Sequence, residues 1–122
     1  MKIRKYFVSN SSSTSFLIVG VAGSDQRLAN LAIADKADPS KVWGGYTEGR
    51  TLVFLGNEVE YDSNDNIISF QPFYAGINAE HALKAGKTVK DLKKEFIAMA
   101  HTLGVEFHEH EVDLHYGEVS SE

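Results

Sequence analysis

The chain has 122 residues, a formal net charge of −5 and no cysteine. This length is that of one ordinary domain, and it allows a buried core without disulfides or a structural metal. The absence of cysteine excludes a disulfide framework, thiolate zinc sites and a catalytic cysteine. Hydrophobic residues make up 43% of the chain, as in folded globular proteins. Because no apolar run reaches the length of a membrane span, we expect no membrane insertion.

The charges are distributed unevenly along the chain. Basic residues open it, and five lysines crowd residues 84–94, whereas residues 105–122 contain six acidic residues and no Lys or Arg. A protein of negative net charge is repelled by phosphate. We therefore do not expect nucleic-acid binding, and we interpret the basic and acidic segments mainly as solvated faces.

The first part of the chain predicts a leader, a strand, a helix and a loop. Residues 1–15 form a basic, Ser-rich leader. Residues 16–21 are continuously apolar, which is typical of a strand buried on both faces. Ser24 is placed to cap a helix that runs to Ala34. Residues 42–50 contain three glycines and predict an exposed loop.

Three short strands are predicted next. They cover residues 51–55, 58–61 and 67–71 and are separated by turn-forming residues. Pro72 ends the third strand, because proline cannot donate to a strand ladder. The short connections predict an antiparallel meander in which each strand pairs with the next.

Two helices follow the predicted meander. Asn78 can cap a short helix over residues 79–85. Thr88 and Asp91 have capping-box spacing, which predicts the start of a second helix. The apolar residues of segment 89–103 recur at the spacing of one helix face, and Gly104 closes the helix.

The order of elements predicts an α+β domain. Residues 105–114 form the last predicted strand of a domain that spans residues 16–116, and residues 117–122 form a short acidic tail. Helices beside antiparallel strands give a sheet of about five strands with two to three helices. A ferredoxin-like arrangement is one topology that this order permits.

Two histidines on the predicted last strand form a candidate metal site. Alternate residues of a strand share a face, so His108 and His110 would point the same way and could hold a divalent metal. The pattern resembles the histidine pair of cupins, although Gly104 lies close by and His115 replaces an expected acid. One hypothesis is a metal-binding protein or a small metal-dependent enzyme. We favour a surface strand that carries histidines on its polar face.

Other catalytic motifs are incomplete. Gly86-Lys87-Thr88 resembles the end of a phosphate-binding loop, but His81 occupies the position of the required first glycine, so we reject nucleotide binding there. Ser13-Thr14-Ser15 with Glu109-His110-Glu111 resembles motifs of one class of ADP-ribosyltransferases. That family has an arginine on a separate strand well upstream, whereas in this chain only Arg4 precedes the serines, too close to lie on such a strand. No nucleophile elbow is present, so we predict no catalytic residues and lean against an enzyme.

A small-ligand site is a further alternative. Trp43, Tyr46 and Arg50 lie in one predicted loop. Aromatic stacking together with a guanidinium group suits a nucleotide, so these residues could bind or sequester a nucleotide signal. Trp43 could equally anchor the core.

The N-terminus carries the most specific string. This string resembles the N-terminal sequence shared by small uncharacterised proteins of bacteriophages and mobile elements. It consists of Arg4-Lys5-Tyr6-Phe7-Val8-Ser9-Asn10, a serine run and Phe16. The resemblance implies a phage origin. Together with the small size and acidity, it favours a non-enzymatic accessory protein that binds a protein partner. That partner would be a virion component, a host enzyme or a defence complex, in the host cytoplasm or the virion, and homo-oligomers are compatible with this hypothesis.

Overall fold

A computed structural model describes residues 3–4, 13–38, 46–56 and 58–120, and it confirms the α+β class. Within these residues every pairing between strands is antiparallel. The strands are β1 (Ile3–Arg4), β2 (Ser13–Ala22), β3 (Tyr46–Glu48), β4 (Val53–Leu55), β5 (Glu58–Tyr61), β6 (Ile67–Gln71), β7 (Tyr74–Asn78) and β8 (Asp113–Ser120). The helices are α1 (Gln26–Ala34), α2 (Glu80–Lys84) and α3 (Val89–Thr102), with a short 3-10 helix at Glu109–Glu111.

The larger sheet has five strands in the order β3-β4-β7-β2-β8. β2 is the interior strand that the apolar run predicted, and it pairs with β7 on one side and β8 on the other. Consecutive residues Ile18 and Val19 are 1% and 0% exposed, so both faces of this strand are covered. This strand order does not confirm a ferredoxin-like topology.

The smaller sheet has the order β1-β5-β6. It contains the predicted hairpin of β5 and β6, and Pro72 directly follows β6 as expected. The three-strand meander is nevertheless wrong, because β4 pairs with β3 and β7 in the other sheet. After Gly56 the chain leaves the larger sheet and returns as β7, which takes the place beside β4 that the meander assigned to β5.

β2 and β7 approach each other unusually closely at two glycines. Gly20 pairs with Gly76 across the two strands. A Cβ atom on Gly20 would overlap the carbonyl oxygen of Ala75, and one on Gly76 would lie 2.7 Å from the carbonyl oxygen of Val19. Only glycine leaves room for this backbone contact. The two glycines therefore determine how tightly the centre of the larger sheet is packed.

The main core lies between the sheets and the helices. α1 contacts β6 and β7, while α3 contacts β2, β7 and β8. The largest side chains in this core that are at most 1% exposed are Phe54, Phe96, Leu28, Leu31, Leu52 and Leu92. Burial of each such side chain stabilises the fold by about 1.5–3 kcal/mol before the loss of chain entropy.

Helix α1 begins one residue later than Ser24 would place it. Asp25 is the N-cap, and its Oδ1 accepts a hydrogen bond from the backbone N–H of Arg27 at 2.9 Å. The Asp25 carboxylate also accepts hydrogen bonds from the Arg27 side chain. These additional bonds favour Asp25 over Ser24 as the N-cap. The helix ends at Ala34, as predicted.

The predictions for α2 and α3 are confirmed in their main features. Asn78 is not the N-cap of α2, because Ala79 takes that position, but the Asn78 side chain accepts a hydrogen bond from the Glu80 N–H at 3.2 Å. Thr88 and Asp91 form a reciprocal capping box, with distances of 3.1 and 3.2 Å. Gly104 follows α3 with φ +86, a conformation that most side chains avoid.

The predicted last strand is wrong in its position. Segment 105–114 contains an irregular stretch and the 3-10 helix, and β8 starts only at Asp113. The Glu111 carboxylate turns back to accept the N–H of His108 at 2.8 Å, which closes a turn where the prediction had an extended chain. The expected leader and tail boundaries fall inside strands, since Ser13 pairs with Ser120.

Among the helices of the described residues, none has the length and apolar character that crossing a membrane requires.

Candidate functional site

An open, mainly apolar groove of about 430 Å³ lies between α3 and the chain that follows it. We call it the α3 groove. It is lined by Lys94, Ile97, Ala98, His101, Glu106, Phe107 and His108. Apolar concave surfaces with a few polar groups at the rim are the usual binding sites of ligands and of anchoring side chains.

The first wall of the α3 groove is one stripe of helix α3. Residues 94, 97, 98 and 101 follow the three-and-four spacing that places side chains on one helix face. The opposite side of the helix carries the core residues Leu92, Phe96 and Ala100. The amphipathic pattern therefore does two things: it docks α3 on the sheet and presents this stripe to solvent.

The second wall is the irregular segment after α3. The N–H of Val105 donates to the carbonyl oxygen of Ala100 at 2.9 Å, which turns the chain back along the helix. Phe107 is 6% exposed, and its ring centroid lies 5.6 Å from that of Phe96. At the mouth, His101 Nδ1 lies 3.8 Å from Glu106 Oε1. The floor is thus anchored in the core, while the mouth is polar.

Arg27 of α1 clamps this second wall. Its guanidinium group donates to Asp25 through Nε and Nη2, to Glu111 through Nη1 and Nη2, and to the carbonyl oxygen of Glu106 through Nη1. The five bonds match the five N–H donors of a guanidinium group. Its Cζ also lies 4.4 Å from the centroid of the Phe107 ring. Arg27 therefore positions the wall and has no donor left for a ligand.

The clamp shifts the titration of its carboxylates. Side-chain hydrogen bonds from Arg27, and then the backbone N–H of His108, lower the pKa of Glu111 to about 2. Hydrogen bonds from Arg27 likewise lower the pKa of Asp25. The two carboxylates in turn raise the pKa of Arg27 further above its usual range, with Glu111 the larger contributor. The three groups consequently remain charged at neutral pH.

The structure places His108 and His110 differently from the prediction. His108 precedes the 3-10 helix and His110 lies within it, so the argument from a shared strand face is wrong. Their rings are stacked, with centroids 5.7 Å apart and planes 9° apart. Among the described residues, no group of three or more His, Asp or Glu side chains could hold a metal ion. A divalent metal at this pair stays a prediction that rests on two donors.

The proposed nucleotide residues are not brought into the α3 groove. Trp43 lies outside the described residues, and Tyr46 begins β3, so the expected exposed loop is in part a strand. Arg50 is exposed and lines a separate cavity of about 260 Å³ together with Asp35. A nucleotide site at these residues stays a prediction.

Asp35 is a buried carboxylate that the sequence analysis missed. It is 2% exposed and accepts hydrogen bonds from the backbone N–H groups of Thr51 and Leu52 and from the Thr51 hydroxyl. These bonds connect the end of α1 to the turn before β4. A buried charge needs such partners. Asp35 and Thr51 are 16 residues apart in the chain, so no local sequence pattern indicates that they bond.

The remaining sequence motifs have ordinary positions. Gly86-Lys87-Thr88 joins α2 to α3, so a helix and not a strand precedes it. Ser13-Thr14-Ser15 lies in β2, whereas Glu109-His110-Glu111 forms the 3-10 helix.

Comparisons with family profiles, with curated proteins and with solved structures found no match to this chain.

Proposed function

We propose that this chain is a non-enzymatic, phage-type accessory protein that binds a protein partner, and that the α3 groove receives an apolar side chain of that partner. The N-terminal string from Arg4 to Phe16 supports the phage origin. The observation that carries the binding role is the α3 groove itself, which combines an apolar floor with a polar mouth. The groove has room for one large side chain and the residues next to it in the partner.

The chemistry of the groove matches a protein anchor. Ile97, Ala98 and Phe107 offer apolar surface, and burial of such surface drives association. Lys94, His101 and Glu106 stand at the rim, where polar groups set orientation more than affinity. The partner in this proposal is a virion component, a host enzyme or a defence complex, in the host cytoplasm or the virion.

The second wall is held in place before any partner arrives. Arg27 fixes the backbone at Glu106, and Phe107 is packed on Phe96. A site that does not have to be ordered on binding loses less conformational entropy in the complex. The clamp therefore supports a binding role for the groove.

The test is to fill the groove and measure partner retention. Ala98 is exposed and lines the groove, so Ala98→Trp should close it without disturbing the core. Ala85→Trp is a matched control, because Ala85 is also exposed and lies outside the lining. Tagged wild-type protein and both variants would be used to purify partners from host lysate.

We expect wild type and Ala85→Trp to retain the same partner, and Ala98→Trp to retain about tenfold less of it, which corresponds to the loss of one anchor contact. Equal retention by both variants would contradict the role of the groove. A chain that retains no partner in any form would contradict the binding function as a whole.

A further inference from the structure

β8 forms one end of the five-stranded sheet. It pairs with β2 along its whole length, from Ser13↔Ser120 to Gly20↔Asp113, and no strand within the described ranges pairs with its other side. At the opposite end of the sheet, β3 covers Tyr46–Glu48 within the described residues. Natural proteins usually shorten or cover a long sheet edge, because its free backbone groups can pair with another chain. The eight residues of β8 are therefore an unusual feature.

The pairing of β2 shows which backbone groups of β8 point outward. The N–H of Ala79 donates to the carbonyl oxygen of Leu17, so Leu17 faces β7. Backbone groups alternate in direction along a strand, so Ile18 faces β8 and bonds its partner His115. The outward residues of β8 are consequently Leu114, Tyr116 and Glu118. In agreement, the N–H of Leu114 donates to the Asp113 side chain at 2.7 Å.

The outward edge is exposed, acidic and partly aromatic. Tyr116 is 75% exposed, and Glu118, whose backbone groups also point outward, is exposed. The carboxylates of Asp113 and Glu118 lie at the surface, and the strand contains no Lys or Arg. No strand of the described residues pairs with the outward backbone groups of Tyr116 and Glu118, and a carboxylate lies toward each end of this edge.

We propose that this edge binds an extended, Lys- and Arg-rich segment of a partner protein, which adds to the sheet as a sixth strand. Backbone hydrogen bonds to Tyr116 and Glu118 supply affinity, as in other complexes formed by strand addition. Because side chains alternate between the faces of a strand, basic side chains on one face of the segment pair with Glu118 and lie over the Tyr116 ring, and those on the other face pair with Asp113. No residue of β8 lines the α3 groove, so the test of this edge does not depend on the proposed function.

Charge argues against a second copy of the chain as the occupant. Two β8 edges related by a two-fold axis would bring the Asp113 and Glu118 carboxylates of both copies to one seam. No Lys or Arg of β8 could neutralise them. Four carboxylates along one seam repel one another even where they are not directly opposite, whereas a basic segment removes the repulsion.

The experiment uses the whole isotope-labelled chain and two short synthetic peptides. One peptide alternates lysine with valine, so that its lysines share one face and can meet Tyr116 and Glu118, and the matched peptide has glutamate in place of lysine. Amide chemical shifts and hydrogen exchange are recorded during titration. We expect the lysine peptide to shift and protect the amides of Tyr116 and Glu118, and the glutamate peptide to bind at least about tenfold more weakly.

Two variants locate the interaction on the edge. Tyr116→Pro removes an N–H that takes no part in the pairing with β2, so the fold should persist while peptide affinity falls about tenfold. Tyr116→Phe is the control, because it keeps the N–H and the ring. Should the proline variant fail to fold, Glu118→Lys decides, since it leaves the backbone intact and should weaken binding of the lysine peptide to a similar extent.

Three outcomes would overturn the proposal. The first is peptide-induced shifts that map away from β8, and the second is equal binding of the lysine and glutamate peptides. The third is a dimer in sedimentation in which the Tyr116 amide is already protected, because a second copy would then occupy the edge.

Discussion

Two consecutive segments at the end of the chain, each eight residues long, are held in place by different forces. Segment 105–112 contains the second wall of the α3 groove, at residues 106–108, and depends on the side chains of Arg27 and Glu111. β8 depends on a continuous backbone ladder to β2. The wall should therefore be sensitive to single side-chain changes, whereas β8 should lose stability only when the backbone itself is crowded.

The largest effect is expected from crowding the sheet beside β8. Gly20 pairs with Gly76 of β7 and with Asp113, the first residue of β8. Gly20→Val would press a side chain into the backbone of β7 and should lower the free energy of unfolding by about 3 kcal/mol or more. Urea unfolding measures it. Ala22→Val, on an exposed position of the same strand, is the control, and an equal loss in both variants would refute the crowding argument.

The next effect concerns the clamp on the wall. Arg27→Ala removes five hydrogen bonds, so it should cost about 1–2 kcal/mol, given that the Arg27 side chain is 37% exposed and partly screened by solvent. Hydrogen exchange should accelerate in segment 105–112 and remain unchanged in β8. Arg27→Lys keeps the charge but loses the fork, and full protection in that variant would show that charge alone holds the wall.

A smaller effect is expected from acid. The pKa of Glu111 is about 2 in the folded chain, against an ordinary value of 4.5, so the unfolded chain takes up the proton first as pH falls. The stabilisation is complete above about pH 4.5 and is lost between there and pH 2. Because Glu111 is partly exposed, we expect a loss of about 1 kcal/mol. Glu111→Gln should flatten this part of the stability profile, and an unchanged profile would contradict the clamp.

The smallest effect is expected from a side chain on the edge. Tyr116 is 75% exposed, so Tyr116→Ala should change the free energy of unfolding by less than about 0.5 kcal/mol. The same urea experiment measures it. A loss as large as that of Arg27→Ala would show that β8, too, depends on individual side chains.

The sequence predicted those elements whose signals are local. The apolar run at residues 16–21, the capping box of Thr88 and Asp91, and the end of β6 at Pro72 each depend on neighbours within a few positions. β7 was missed, because Tyr74-Ala75-Gly76-Ile77-Asn78 has neither alternation nor a strong apolar run. The meander failed because turn-forming residues predict a change of direction but do not specify which strand lies alongside.

The candidate site could be predicted only in part. The sequence indicated the apolar face of α3 and the unusual residues His108 and His110, but not the α3 groove. Arg27 contacts Glu111 across 84 positions, and no pattern in a single sequence encodes that pair. The spacing of His108 and His110 predicts a shared face only if residues 105–114 are extended, and the turn that Glu111 closes breaks that condition.

The sequence by itself determined the class of the protein: one acidic, cysteine-free α+β chain with a buried strand and a capped amphipathic helix. Only the tertiary structure decided the two strand orders, the wall of the α3 groove and the position of β8 at an edge. The physical reason is the separation along the chain of the residues that interact. Capping and periodicity depend on atoms a few residues apart, whereas strand pairing and the Arg27 clamp join residues that come together only when the whole core forms.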